Sequence, residues 1–468
     1  MDFRIDRVTD LAAKVRTGEV SATELTTHSL ERIASLNDSI NAFVAVNEAH
    51  ALEQAAAIDQ LVAAGGDPGP LAGIPIGVKD LEDAAGFQTT QGSPLLSDVA
   101  VATSDSVLVA RLRQAGCVVV GKTNTPEFGW TSRTDNALHG LTRNPWNLDH
   151  SPGGSSGGTA AAIAAGMVPL GTGSDGGGSI RIPSAACGLS GMKTSFGRVP
   201  NGGPHAPGWL ELSSKGPMAR SIFDVAAALE VVIGPDPSDL GSLPKPEASY
   251  LDAMIEPRLP ARVGWSPDLG YAPVDREVLA ACESALAKLD DLGVEVVEIS
   301  GPFDEDCVDS WLTIVGSCLA RSMAHLADDE RYEKTDPILR MIVDGGAGSG
   351  GIDLVRALDE AHLLNLRLVE MFHNVRLLLT PTMAGVVPPS ALGGLGLING
   401  ETDVNWVRMT YPFNMTRSPA SSVCVGMASS GVPIGMQVVG PQHADLAVLR
   451  ATGALELAIG FSDVAAIG

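Results

Sequence analysis

From Val8 to about residue 64, apolar residues return every three or four positions, most clearly at Leu25, Leu30, Ile33 and Leu36, and this period predicts a mainly helical N-terminal region. Ser21 with Glu24 three residues later reads as a capping box at the start of that run. The period then changes to two. Ile74, Ile76 and Val78 alternate as a strand does, Pro75 confines that strand to an edge or an end, and Lys79 falls on the face opposite the apolar set. Residues 106–116 have the spacing of a short amphipathic helix, and Cys117-Val118-Val119-Val120 is a compact apolar strand ended by Gly121-Lys122-Thr123-Asn124-Thr125-Pro126. This is one helix-to-strand step of an α/β sheet. A helix from Thr159 to Ala165 is predicted directly after a Gly/Ser run, so its first amides point into whatever that loop encloses.

Beyond the middle of the chain, Pro235 to Pro246 is rich in Pro, Gly, Ser and Asp and predicts a long surface excursion. The α/β pattern resumes after it. Arg262-Val263-Gly264-Trp265, the stretch Val278 to Leu292, and Glu295-Val296-Val297-Glu298-Ile299 read as strand, helix and strand. Gly345 to Gly351 and Ala384 to Gly400 read as irregular, whereas Leu377-Leu378-Leu379 and Gly435-Met436-Gln437-Val438-Val439 read as strands returning to the sheet. There is no internal repeat.

Composition narrows the class. Hydrophobic residues make up 45% of 468 and charged residues 18%, which is globular and long enough for a sizeable core. A formal net charge of −24 argues against a surface that tracks phosphates, so no nucleic-acid partner is expected. The six cysteines, Cys117, Cys187, Cys282, Cys307, Cys318 and Cys424, form no C-x-x-C pair and are expected to be reduced and buried. The first residues carry charge where a signal peptide needs an apolar run, and no later stretch approaches 18 apolar residues, so a cytoplasmic protein without a membrane span is expected. The nine histidines are scattered without ligand spacing; neither a metal nor another cofactor is expected.

Three motifs overlap between residues 150 and 190. Gly171-Thr172-Gly173-Ser174-Asp175-Gly176 matches a dinucleotide-binding G-x-G-x-x-G, but no acidic residue follows about twenty positions on, and Pro183 interrupts the helix such a site needs. Gly154-Ser155-Ser156-Gly157-Gly158 matches G-x-S-x-G, which would make Ser156 a nucleophile at a strand-to-helix elbow. That elbow needs a preceding strand, and Asn147 to Pro152 is a poor one.

The third reading uses the whole block. Gly77-Val78-Lys79-Asp80, Gly121-Lys122-Thr123-Asn124, Ser151-Pro152-Gly153-Gly154-Ser155-Ser156-Gly157-Gly158, Gly171 to Pro183 and Cys187-Gly188-Leu189 together resemble the amidase signature family. The likeness continues more loosely through Leu379-Thr380-Pro381-Thr382 and Gly431-Val432-Pro433-Ile434-Gly435. Taken singly, a lysine belongs at the surface and loop serines serve turn chemistry; it is the combination that is specific. The resemblance implies an α/β amidase signature fold, a single large mixed β-sheet core covered by helices on both faces. It also implies one domain over residues 1–468, with a helical region at about 1–64, a signature core at about 70–232 and a substrate-shaping excursion at about 300–400.

By the same resemblance Ser179 is the nucleophile, Ser155 a bridging serine after a cis peptide, and Lys79 the base. Gly176, Gly177 and Gly178 are the expected oxyanion hole, with Ser156, Asp175 and Arg181 in support. Elementary chemistry is consistent with these roles. A serine hydroxyl needs a base, and a lysine serves only when desolvation or cationic neighbours keep it neutral. A second hydroxyl accepts from one partner while donating to another, so Ser155 can relay the proton. The glycines offer backbone amides to a tetrahedral intermediate. Ser174-Asp175-Gly176 stands where many family members carry Thr-Asp and a larger residue, which is expected to loosen the first position of the hole. The expected activity is hydrolysis of a small or aryl amide, with esters and carbamates open to the same chemistry. The glutaminase component of a tRNA-dependent amidotransferase and a non-catalytic binder are the alternatives, and a homodimer stays open. Substrate choice is expected from residues at about 130–140, 205–213 and 310–400. Trp130, Trp209, Trp311 and Met409 are candidates to line the pocket, against the general preference of such side chains for the core.

Overall fold

The structure is a computed structural model that describes residues 1–204, 206 and 208–467. Its frame is a mixed sheet of eleven strands. In chain order the strands are β1 (Phe43–Val46), β2 (Pro75–Lys79), β3 (Val118–Thr123), β4 (Leu170–Asp175), β5 (Ser190–Lys193), β6 (Ser214–Ala219), β7 (Arg262–Trp265), β8 (Glu295–Glu298), β9 (Leu378–Pro381), β10 (Gly396–Ile398), β11 (Glu401–Asp403), β12 (Ala420–Met427) and β13 (Pro433–Val439). Across the sheet the order is β1-β3-β2-β4-β6-β5-β12-β13-β9-β7-β8, and β10 with β11 forms a separate hairpin. Every residue of β2, β3, β5 and β13 is buried, so both faces of the central sheet are covered, as the alternation of helices and strands in the sequence predicts.

β2 runs parallel to both β3 and β4 and lies inside the sheet. Pro75 is its first residue, so the strand end, rather than a sheet edge, accommodates the missing N–H. The register pairs Lys79 with Thr123 and Gly77 with Gly171, which brings the C-terminal ends of β2 and β4 together. Helix Gly157–Ala164 is entirely buried and begins two residues before the predicted Thr159. Its Thr159 hydroxyl lies 2.6 Å from Thr123 Oγ1 and donates to the Thr172 carbonyl, tying the helix to β3 and β4.

Three expectations change. The N-terminal region is helical over Val8–Thr17, Ala22–Ile40 and Glu48–Ala63, with the predicted Ser21/Glu24 capping box in place, but β1 interrupts it. Asn41 takes a left-handed conformation, and Asn37 Oδ1 accepts the amides of Ala42 and Phe43, turning the chain out of the helix to pair with β3. Gly345 to Gly348 is helical rather than irregular: helix Pro337–Gly348 continues through the glycines. A Cβ on Gly346 would sit 2.0 Å from the Gly316 backbone in helix Val308–Met323, so the glycine there serves close helix packing. Within 384–400 the chain forms β10, joined to β11 by Asn399-Gly400, both at positive φ, the pair that a tight hairpin favours.

The stretch from Pro235 to Pro246 carries neither helix nor strand and lies at the surface, half of it exposed and Asp239 buried. All six cysteines are buried and unpaired. Among the described residues, no helix is long and apolar enough to cross a membrane.

Candidate active site

The ends of β2 and β4 and the start of helix Gly157–Ala164 converge on one buried amine. Lys79, at the end of β2, has no solvent exposure, and its backbone N–H donates to Thr172 Oγ1 at 2.9 Å. Its Nζ lies 2.8 Å from Ser155 Oγ, 2.9 Å from Ser156 Oγ and 3.0 Å from Ser174 Oγ. These are neutral partners. Desolvation lowers the lysine to about 7, and the negative charges of Glu82 and Asp175 offset only part of that fall. A large fraction of Lys79 is therefore neutral near pH 7.

The three sequence-predicted residues Lys79, Ser155 and Ser156 thus share one network, and the bond from Gly154 to Ser155 is cis. Ser155 and Ser179 both line an open cleft of about 460 Å³, together with Ser174 and Gly176. Ser156 does not line it. No strand precedes Ser156, which sits fully buried at the start of its helix, so the elbow reading of G-x-S-x-G fails on both geometry and access. Ser156 N–H instead donates to the Ser179 carbonyl at 3.3 Å, holding the two serine loops together.

Asp175 organises the loop that carries Ser179. Its carboxylate accepts from the amides of Gly178 at 2.8 Å and Ile180 at 3.2 Å, from Arg181 Nε at 3.0 Å and from Asn414 Nδ2 at 2.9 Å. Burial pushes this acid up, but the charge and hydrogen bonds of Arg181 outweigh burial and hold it well below the usual carboxylate range. Both partners of the Asp175–Arg181 ion pair are fully buried, which is tolerable because the remaining guanidinium hydrogens reach the Thr410 carbonyl, Gln437 Oε1 and Asn414 Oδ1.

The glycine loop departs from expectation at one position. Gly178, at φ 127°, already gives its amide to Asp175. Asn414 Nδ2 donates to the Asp175 carbonyl, Trp311 Nε1 to the Gly176 carbonyl at 2.9 Å and Thr410 Oγ1 to the Gly177 carbonyl at 2.5 Å. Since N–H and C=O point in opposite directions across a trans peptide, the first two contacts aim the amides of Gly176 and Gly177 away from Asn414 and Trp311. Among the described residues those two amides have no hydrogen-bond partner, whereas that of Gly178 is taken.

The first position of this loop is not loosened by its glycine. A Cβ on Gly176 would meet the Trp209 ring at 2.5 Å, and one on Gly177 would meet Trp311 at 2.6 Å. The two indoles pack edge to face with centroids 6.1 Å apart, and Trp311 stacks on Tyr411 at 5.5 Å. Trp209 thus supplies the bulk that a side chain at 176 would. Of the four pocket candidates it alone lines the cleft; Trp311 braces the loop from behind, Met409 is core, and Trp130 packs half-buried against the core.

The residues sequence reasoning missed are Ser174, Thr410, Asn414 and Gln437, together with the cleft wall at Leu81, Glu82 and Asp83. Ser174 was legible as a polar residue in the β4 motif; Thr410 and Asn414 lie in no motif and reach the site only through folding. Ala206, Gly208, Trp209, Leu210 and Ser213 represent the 205–213 stretch in the cleft, and Ser322, His325 and Leu326 the 310–400 stretch. None of the described residues 130–140 lines it. His205 and Pro207 lie outside the described residues.

Comparison with known proteins accords with this geometry. The amidase family model matches residues 24–449. This chain belongs to the amidase signature family. It is 36% identical over 454 residues to an acylamidase of Rhodococcus erythropolis, covering 96% of this chain and 94% of that protein. It is 35% identical over 467 residues to a component of the glutamyl-tRNA(Gln) amidotransferase of Synechococcus sp. (strain CC9605), covering 94% of each. A bacterial aryl acylamidase of the amidase signature family superposes with a TM-score of 0.90 at 29% identity, covering 97% of this chain and 96% of that one. A 6-aminohexanoate cyclic dimer hydrolase in complex with substrate superposes at 0.89 and 30% identity, covering 99% and 98%. The protein is accordingly a hydrolase of amide C–N bonds with a mixed α/β amidase signature fold.

Proposed function

We propose that the protein is a stand-alone amidase for small or aryl carboxylic amides, acting through an acyl-enzyme on Ser179. The observation that carries this reading is the neutral-poised Lys79 amine, 2.8 Å from Ser155 at the floor of the cleft that Ser179 lines. Neutral Lys79 takes the proton of Ser155, and Ser155 takes that of Ser179 as its Oγ attacks the amide carbon. The carbonyl oxygen gains its negative charge against the amides of Gly176 and Gly177, interactions that strengthen as the charge develops. The proton on Lys79 returns through Ser155 to the departing amine, breaking the C–N bond. Water then repeats the sequence on the acyl-enzyme and releases the acid. Esters and carbamates present the same carbonyl to the same nucleophile.

The relatives that are components of glutamyl-tRNA(Gln) amidotransferases favour glutamine as a second reading. The charge in the cleft speaks against it. Among the described residues that line it, Lys215 is the lysine or arginine, and its Nζ is paired with Glu82 Oε2 at 2.9 Å; Asp83 adds negative charge, and Asp105 is paired with Arg113 at 3.1 Å. A free α-carboxylate finds no unpaired ammonium or guanidinium there, whereas Trp209, Leu96, Phe128 and Leu326 offer an apolar wall to a neutral acyl or aryl group. The test compares purified wild type and Ser179→Ala on a simple anilide, an aliphatic amide and glutamine. Turnover of the first two, absent from Ser179→Ala, with little ammonia from glutamine supports the amidase; glutamine as the preferred substrate overturns it.

A further inference from the structure

Glu82 and Asp175 are the carboxylates whose charge reaches Lys79, Asp80 is its neighbour in the chain, and each of the three has its own cation. Asp80, the next residue, pairs with Lys122 of β3 at 3.3 Å; Asp175 of β4 pairs with Arg181 at 2.9 Å; Glu82 pairs with Lys215 of β6 at 2.9 Å. The first two pairs are sealed, with side-chain exposures of 2% or less on both partners, but Lys215 is 20% exposed and lines the cleft. The main chain of Glu82 is held at two points. Its N–H donates to the Lys79 carbonyl at 3.0 Å in a tight turn, and its own carbonyl accepts from Lys122 Nζ at 2.6 Å. Lys215 is positioned with equal definition, because the β4–β6 register sets it directly across from Ser174, whose hydroxyl touches the Lys79 amine.

The geometry points to Lys215 as a positioning residue for the reaction: by neutralising Glu82 at the mouth of the cleft, it keeps the Lys79 amine free of its proton. This rests on Lys79 being the base. A bare carboxylate held beside a buried amine stabilises the ammonium form, and Glu82 is the larger of the two charges that pull Lys79 in that direction. Lys193 of β5, which burial also lowers to about 7, adds its charge to Asp175 chiefly on the acid side of that value, and Asp83, Asp105 and exposed His325 line the cleft. With the two sealed pairs fixed, the Glu82–Lys215 pair is the charge balance that a substitution can alter from the cleft.

The experiment is the pH profile of kcat/KM for wild type, Lys215→Met, Lys215→Arg and Lys215→Met with Glu82→Gln, on an uncharged amide. Lys215→Met is expected to move the acid limb to higher pH, with a loss on the order of tenfold near pH 7 that shrinks on the alkaline plateau. Lys215→Arg should keep the wild-type limb, and adding Glu82→Gln should bring the limb of Lys215→Met back. If Lys215→Met does not fold, Glu82→Gln alone must move the limb to lower pH. An acid limb unmoved in Lys215→Met, a loss of equal size at every pH, or a moved limb that Glu82→Gln leaves in place overturns the inference. A wild-type profile without an acid limb defeats instead the lysine-base reading beneath it.

Discussion

Titration of Lys79 gives the most quantitative test of the chemistry. The amine is fully buried, and desolvation brings it from its ordinary value of 10.5 to about 7, a change worth on the order of 5 kcal/mol in favour of the neutral form. Only that form can accept the Ser155 proton. On the alkaline side of pH 7 the rate should approach a plateau, at pH 7 about half of it should remain, and each unit further down should cost about tenfold. The assay is kcat/KM for an uncharged amide from pH 5 to 9, with the fold monitored by circular dichroism at each point. A flat profile, or a rate that rises toward acid, refutes the neutral-lysine argument. The same depressed value has a stability consequence of definite sign. The unfolded chain binds a proton at this lysine up to its ordinary value, whereas the folded protein releases it through about 7, so wild-type stability gains from this group as pH rises between the two. Lys79→Met abolishes that gain. Its stability relative to wild type should be greater at pH 6 than at pH 9 by roughly 2 to 3 kcal/mol, measured by urea denaturation, while turnover disappears at both.

Two further outcomes follow from packing and burial. Gly176→Ala places a Cβ 2.5 Å from the Trp209 ring, so it should lower kcat about a hundredfold by shifting an amide of the anion site, and adding Trp209→Ala should recover part of the loss; full activity in the single variant would contradict the assigned packing. Asp224 is nearly fully buried and accepts the Val8 amide at 3.0 Å; desolvation raises it to about 7, only partly countered by that hydrogen bond. It therefore loses stability as pH rises from its ordinary value of 3.8 toward 7, and Asp224→Asn, which preserves the acceptor, should stabilise the protein by on the order of 2 to 4 kcal/mol at pH 8 and little at pH 4. A thermal-melt comparison at those two pH values checks it, and equal shifts at both would count against the buried carboxylate.

Local sequence carried the parts of this molecule that local interactions decide. Ser21 and Glu24 announce a helix start because the two groups satisfy each other's amides, and Ile74, Ile76 and Val78 announce a strand because its period is two. The cluster of Lys79, Ser155 and Ser156 was visible only as two separated motifs, joined by a family resemblance rather than by spacing. What stayed hidden depends on distant pairing. β1 is four residues long and sits between two helices, so its apolar residues merge into the helical period. Gly346 looks like a breaker until Gly316 is brought against it. Asn414 and Thr410 approach the glycine loop from more than 230 residues away, and the Gly178 amide is taken by Asp175, three residues earlier, a contact that no motif announces. Trp209 is the instructive case: a glycine at 176 reads as open space in one dimension and as a docking surface for an indole in three.

The central claim is that Ser179 becomes acylated while Lys79, through Ser155, removes its proton. Peptide mass spectrometry after treatment with a serine-directed fluorophosphonate tests it most directly. The predicted result is one adduct on Ser179, absent in Ser179→Ala and strongly diminished in Lys79→Ala. An adduct on Ser156, or none on any serine of a folded protein that turns over amides, would contradict the account.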